Sequence, residues 1–286
     1  MSKQEPIRFQ GQYLESDKFF HICGGIKKKK GEKLLFYPSA TASLSLDGVN
    51  DHARSGNGSA LAAFNPGGGN GLCIAFEIYP QGTLGTDVII SYGKLGTGAN
   101  MKYRCYFDAN NNKLNVDTNS TAGAPTRFET DASIFNLNAW NKVAITLDYS
   151  GAQDEISIWV NGTKATGSYI SRGNTLGIGT VSGTTNGRFC VGAHVDYLGT
   201  YHSNPFQGYI NNLCISGGGD NGYWTEDELE TISKTYNIDY EAMGYMNNST
   251  AGRGVIYRFE NNTNSEWTLS RNLELRSGAT YTTNVP

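Results

Sequence analysis

The chain lacks the marks of several large protein classes. No stretch approaches the roughly 18 consecutive apolar residues of a membrane-spanning helix, and the opening "MSKQEPIRFQGQ" has no apolar core of a secretory signal. The expectation is a protein made and kept in the cytosol, without a membrane partner. Charge of one sign is also lacking: the formal net charge is −3, which gives no global electrostatic reason to expect nucleic acid. The one charge run, Lys27 to Lys30 in "GGIKKKKGEK", reads as a solvated hairpin tip, with a docking patch for an acidic partner as the alternative. The five cysteines, Cys23, Cys73, Cys105, Cys190 and Cys214, are odd in number, widely spaced and set in apolar runs such as "GLCIAFEIY" and "RFCVGA". That pattern favours buried free thiols over a disulfide scaffold, which goes with even counts in short secreted chains, and over a thiolate metal site, which goes with close Cys/His pairs. Without export, sequons such as those at Asn57 and Asn161 carry no glycan.

Proline is scarce, with 7 residues against 36 glycines and 17 tyrosines, and the apolar runs are separated by Gly, Asn, Ser and Thr. In "AWNKVAITLDYSGAQDEISIWVNGTKATG", residues 139–167, Val143, Ile145, Leu147 and Tyr149 fall on one side and Lys142, Ala144, Thr146 and Asp148 on the other. This is the period of a half-buried strand. Ile156, Ile158 and Val160 repeat it, so the pair reads as a hairpin, and Asn161-Gly162 is a turn into a further strand. The side opposite the core is expected to be wet or covered by a second sheet. Other short runs, "ASLSLDGVND", "GLCIAFEIYP", "DVIISYGK", "MKYRCYFDANNNKLNVDT", "NGRFCVGAHVDY" and "FQGYINNLCISG", read the same way. One helix stands out in "YWTEDELETISKTYN": Thr225 and Glu228 form a capping box, Trp224 and Leu229 are spaced for a hydrophobic staple, and Leu229, Ile232 and Tyr236 share a face. The fold class expected is all-β, a two-sheet antiparallel jelly-roll sandwich with one short helix. Residues 1–40 form a docking segment in which "KFFHICGG" and "EKLLFYPS" pair, 41–237 the sandwich, and 238–286 a β segment that completes it from within or offers a strand to a neighbouring chain. A chain of this length buries about three quarters of its unfolded surface, enough for a core without metal or disulfide support.

In this order, "SLSLDGVND", "CIAFEIYP", "WNKVAITLDYSG…ISIWVNGTKA" and "FQGYINNLCISG…YWTEDELETI" resemble the laminin G-like branch of the concanavalin A-like lectin/glucanase superfamily. Glycosidases of that superfamily carry Glu-x-Asp-x-x-Glu on one strand, so that acid and nucleophile face one cleft. No stretch matches: Asp154 and Glu155 are adjacent, Asp227, Glu228 and Glu230 sit at the helix start, and the four histidines, His21, His52, His194 and His202, are scattered. The chain is therefore expected not to be an enzyme. The resemblance leaves calcium open as a cofactor. Asp47 and Asp51 stand where relatives have an acid near the opening turn, but Asn211 and Asn212 replace the usual closing-strand acid, which would weaken the ion. "DANNNKLNVD" at Asp108 lacks the turn glycine and last glutamate of a calcium loop and reads as a plain hairpin.

A glycan site needs aromatic platforms and hydrogen-bonding groups on loops. "GAHVDYLGTYHSNPF" brings Asp196, Tyr197, Tyr201, His202 and Asn204 together, and rigid aromatics lose little entropy on contact. The alternative is that these tyrosines cover the sandwich rim or a subunit contact. Relatives of this branch act outside cells, whereas this chain shows unpaired thiols and no export signal. The two are reconciled in a bacteriophage virion protein, head- or tail-associated, made in the host cytoplasm. Its partners would be other virion proteins and a cell-surface glycan, or a second copy of itself. A pure assembly or decoration module is the competing reading.

Overall fold

A computed structural model describes residues 43–55, 71–82, 85–93, 101–108, 112–119, 125–131, 134–148, 155–172, 188–195, 202–217, 223–235, 238 and 240, and gives the backbone of strands at 7–14 and 255–282. The chain divides into two compact units, Met1–Pro38 and Ser39–Pro286. In the first, β1 (Ile7–Phe9) and β2 (Gln12–Leu14) form an antiparallel hairpin. The expected pairing of "KFFHICGG" with "EKLLFYPS", the lysine run and Cys23 lie outside the described residues.

The second unit is a two-sheet antiparallel sandwich. Its strands are β3 (Ser43–Asp47), β4 (His52–Arg54), β5 (Gly71–Pro80), β6 (Val88–Gly93), β7 (Met101–Phe107), β8 (Leu114–Asn119), β9 (Pro125–Thr130), β10 (Asn141–Asp148), β11 (Glu155–Val160), β12 (Thr163–Lys164) and β13 (Gly167–Ser171). They continue with β14 (Arg188–Val191), β15 (His194–Val195), β16 (His202–Ser203) and β17 (Gln207–Ser216), then helix α1 (Glu226–Lys234), and β18 (Val255–Glu260), β19 (Thr263–Glu266), β20 (Glu274–Arg276) and β21 (Thr280–Thr282). Nine strands make one sheet: β12-β11-β10-β5-β17-β18-β19 side by side, with β3 pairing both β17 and β21. Eight make the other, β13-β9-β8-β7-β6-β14-β4-β20. The C-terminal strands β18, β20 and β21 pair with β17, β4 and β3 of the same chain.

Alternation in the sequence decides what each strand buries. From β5, Leu72, Ile74, Phe76 and Ile78 enter the core between the sheets. Val143, Ile145 and Leu147 of β10 stand in register with Val160, Ile158 and Ile156 of β11, as the hairpin reading expects; Tyr149 lies outside the described residues. The other sheet contributes Tyr103, Cys105, Phe107, Leu114, Val116 and Phe128. Each large apolar side chain so buried contributes about 1.5–3 kcal/mol. Asn161 and Gly162, with φ of 51° and 79°, make the turn from β11 into β12 that the Asn-Gly pair predicts, since both central residues of this turn need positive φ. A side chain at Gly162 would meet Lys234 Cγ at 2.3 Å, so glycine there also admits the helix.

The far side of β5 and β10 is covered, but not by a second sheet as one sequence reading allowed. Cys73, Ala75, Ala144 and Cys214 pack beneath Trp224, Leu229, Ile232, Ile238 and Tyr240. α1 starts with its capping box intact: Thr225 Oγ1 accepts from the Glu228 N–H, and a Glu228 carboxylate oxygen accepts from the Thr225 N–H at 2.7 Å. Leu229 and Ile232 are its buried stripe, while Tyr236 lies outside the described residues. Trp140, half-buried, sets its ring 5.8 Å from Tyr79, which stands 5.8 Å from Tyr209.

Candidate functional site

The stretch singled out by the sequence contains a two-stranded ribbon. β15 pairs with β16, His194 opposite Ser203 and Val195 opposite His202. Asp196, Tyr197 and Tyr201 lie outside the described residues, and of His202 only the backbone is described. Asn204 is exposed with φ of 55°, and its carbonyl accepts from the Val88 N–H at 2.8 Å. The ribbon is anchored at its base, where Ser91 Oγ donates to the Ala193 carbonyl at 3.0 Å. His194 is buried, and its Nε2 has no hydrogen-bond partner among the described residues. Burial, with the positive Arg104 nearby, pushes its pKa down to about 4, so the ring stays neutral at physiological pH.

The residues considered for calcium do not come together. Asp47 is opposite Gln207 in the β3–β17 ladder, whereas Asn211 lies four residues further along β17, opposite Glu77 of β5. At about 3.3 Å per residue that offset is some 13 Å. Asp47 Oδ1 already caps its own loop, accepting from the Val49 N–H at 2.8 Å and the Asn50 N–H at 3.2 Å, and Asp51 Oδ2 accepts from the Asp47 N–H. Asp51, buried beside Asp47, has its pKa raised by loss of solvent and by its neighbour's charge. Asn211 and Asn212 belong instead to a buried polar row. The donor set therefore does not fit one shared ion. Asp108 closes a hairpin, as expected: its N–H donates to the Lys113 carbonyl while Phe107 pairs with Leu114.

Among the described residues, a closely paired polar surface lies on the outer face of the eight-stranded sheet. Core residues alternate with outward ones on three neighbouring strands: Arg104 and Tyr106 on β7, Asn115 and Asp117 on β8, Arg127 and Glu129 on β9. Register sets Arg104 beside Asp117 and Asp117 beside Arg127, and Tyr106 beside Asn115 and Asn115 beside Glu129. Asp117, 1% exposed, is the keystone. Arg104 Nε reaches its Oδ2 at 2.8 Å, Arg127 Nε its Oδ1 at 2.8 Å, and a terminal Arg127 nitrogen its Oδ2 at 3.1 Å. The Tyr106 hydroxyl donates to Oδ1 at 3.4 Å, and the Arg104 guanidinium lies 4.1 Å from the centre of the Tyr106 ring. Burial and the Asp117 charge push the Tyr106 phenol up, and the hydrogen bond to Asp117 raises Arg127 further. Glu129 accepts from Lys113 Nζ at 2.6 Å.

Beside this network is an open depression of about 210 Å³ lined by Tyr106, Asp108, Asn115, Arg127, Glu129 and Ile170. Its floor is sheet, and bidentate pairing with Asp117 fixes its arginine, Arg127, so the donors are aimed before any ligand arrives. Formal charges balance: Arg104, Lys113 and Arg127 against Asp108, Asp117 and Glu129. No sequence motif marks these residues, because they are separated by core positions on three strands. The available signal was charge on the polar side of half-buried runs: "YRCYFD", "NVD" and "TRFET".

The fold has known counterparts. The native heptameric SAP-like pentraxin of Limulus polyphemus superposes with a TM-score of 0.50 at 14% identity, covering 86% of this chain and 96% of that one. The CBM40 of the Ruminococcus gnavus IT-sialidase, bound to α2,3-sialyllactose, gives a TM-score of 0.45 at 13% identity over 68% of this chain and all of that one. The enzymatically active domain of tailspike protein 2 of bacteriophage CBA120 gives 0.45 at 13% identity, over 71% of this chain and 29% of that one. A comparison with curated proteins gave no match. The model of a laminin G-like family matches residues 47–218, the span from the Asp47 turn to the end of the closing strand, and the chain belongs to the concanavalin A-like lectin/glucanase superfamily.

Proposed function

We propose that this chain is a non-enzymatic recognition module that binds a neutral carbohydrate in the depression on the eight-stranded sheet. The observation that carries the reading is the Asp117-centred network. It holds Arg127 rigid while leaving its side chain 37% exposed, next to the Asn115 carboxamide and the Glu129 carboxylate. A sugar hydroxyl both donates and accepts, and such a row of donors and acceptors on a rigid floor suits it. The balance of charge disfavours a polyanion. Ile170, 56% exposed, offers an apolar contact for the C–H face of a ring. Hydrolysis is a poor fit, since both oxygens of Asp117 are engaged by arginines and Glu129 is held by Lys113, so Asp108 is the one described acid of the depression outside these ion pairs, where a glycosidase needs two.

In the wider reading, the module serves a bacteriophage virion, with 1–40 docking to the particle and the sandwich facing the host surface. The buried thiols Cys73 and Cys105 suit folding in a reducing cytoplasm. Burial pushes the Cys73 thiol up to about 12 and Cys105 further still, which keeps both unreactive.

The test is binding of the full chain to an array of neutral and sialylated oligosaccharides, with Asn115→Ala, Ile170→Ala, Tyr197→Ala and Tyr201→Ala beside it. Saturable binding to neutral glycans, weakened about tenfold (~1.4 kcal/mol) by Asn115→Ala, is expected. Loss confined to the tyrosine variants would move the site to the 196–201 loop. A folded protein that binds nothing would leave the assembly reading.

A further inference from the structure

The outer face of the nine-stranded sheet holds a second polar group, and its chemistry differs from recognition. Lys142 of β10 stands opposite Glu77 of β5, and Glu77 stands opposite Asn211 of β17. A bulge between Asn211 and Cys214, with φ of 43° at Asn212, swings the Asn212 carboxamide onto the same row. Glu77 Oε1 accepts from Lys142 Nζ at 3.0 Å and from Asn212 Nδ2 at 3.1 Å. One carboxylate oxygen thus holds an amine and a carboxamide side by side. Solvent is shut out: Lys142 is 0%, Asn212 1% and Glu77 3% exposed. Tyr240 closes the row, its hydroxyl accepting from Nζ at 3.1 Å and its ring centre 5.5 Å from Nζ. Asn212 Oδ1 is buried without a hydrogen-bond partner, so no donor among the described residues holds the carbonyl away from the amine.

We propose that Lys142 and Asn212 condense into an intramolecular isopeptide bond, with Glu77 as the proton carrier. Moving one proton from Nζ to Oε1 turns a buried ion pair into a neutral amine and acid, removing two charges from a site without water. The freed Nζ lone pair attacks Asn212 Cγ and a C–N bond forms, the carbonyl electrons moving to Oδ1. Their return breaks the Cγ–Nδ2 bond. Lys142 gives up two protons in all; Glu77 passes each to the departing nitrogen, which leaves as ammonium, and the carboxylate is regenerated. Nothing is oxidised or reduced and no co-reactant is needed. β10 and β17 flank β5, so their backbones are two ladder spacings apart, about 9–10 Å, a gap that the lysine stem and the asparagine side chain span together. Holding the groups in register replaces an encounter in solution, and the proton carried by Glu77 turns the departing nitrogen into a better leaving group.

The experiment is intact-mass spectrometry of the purified full chain, followed by proteolytic mapping. The chain is expected to be lighter than its sequence by one ammonia, and the map to contain a branched peptide joining Lys142 to Asn212. Glu77→Gln and Asn212→Ala should each restore the full sequence mass, and Asn212→Asp should form the same link with loss of water instead. Folding of every variant is checked by circular dichroism; should Glu77→Gln fail to fold, the wild-type map and the Asn212 variants decide. Folded wild-type protein that keeps its full mass after prolonged incubation overturns the proposal, as does an ammonia loss that maps to Asn212 without Lys142.

Discussion

Among the described residues, each sheet of this sandwich carries one deeply buried acid on its outer face, and the two are partnered in opposite ways. Asp117 of the eight-stranded sheet is gripped by Arg104 and Arg127, whose side chains are 19% and 37% exposed. Glu77 of the nine-stranded sheet meets Lys142, which has no exposure at all, and an asparagine. A guanidinium keeps its charge under all physiological conditions and presents a fixed fork of donors. An amine can surrender a proton and become a nucleophile. The first arrangement is therefore a rigid, permanently charged surface suited to reading a ligand; the second is closed, dry and suited to a single internal reaction. What decides between them is the cation chosen and the cover laid over it, an open depression in one case and Trp224, α1 and Tyr240 in the other.

Removing each acid tests the contrast. Glu77→Ala leaves the Lys142 ammonium buried without its carboxylate and should have the largest effect, a loss of about 3–5 kcal/mol in urea unfolding. Asp117→Ala strands two arginines that can still turn toward water, so about 2–3 kcal/mol is expected, together with loss of glycan binding as the fork loosens. An Asp117→Ala protein as unstable as Glu77→Ala would show that the two faces are equally closed.

The next contrast is between pH values. The folded pKa of His194 is about 4, below its ordinary 6.5, so between these values the unfolded chain binds more protons. Its contribution is fully present above pH 6.5 and lost as pH falls toward 4, up to about 3 kcal/mol in all. His194→Gln should flatten the stability profile in that window; an unchanged slope would assign the loss to other groups. Smallest of all, Thr225→Ala removes the cap of α1 and should cost about 1 kcal/mol in thermal unfolding. Because α1 covers only the nine-stranded sheet, binding at the Asn115 depression should stay unchanged.

The sequence carried most of the architecture and little of either polar face. The β10–β11 hairpin was legible because Val143, Ile145, Leu147, Ile156, Ile158 and Val160 alternate locally, and α1 because a capping box lies within four residues. Lys142 looked like an outward lysine, since the partners that bury it, Glu77 and Tyr240, are 65 and 98 residues away. Asp117 was hidden for the same reason: one arginine comes from the preceding strand and one from the following strand. Asn211 and Asn212 were compared with the acids of relatives, but a bulge, which has no reliable sequence mark, decided their surroundings. Local periodicity specifies strands; which outward residues meet is settled by register between strands far apart in the chain.

The last strand has a consequence for how the protein is made. β3 pairs with β17 on one side and β21 on the other, and Ser45 faces Thr280, more than two hundred residues later. Until Thr282 clears the ribosome, β3 presents an unpaired edge to every other nascent chain nearby, a template for mispairing. Synthesis, at roughly 5–20 residues per second, thus sets a waiting time of tens of seconds. A chain with this topology benefits from a holding chaperone on that edge, and shortening the wait should raise the yield of soluble protein.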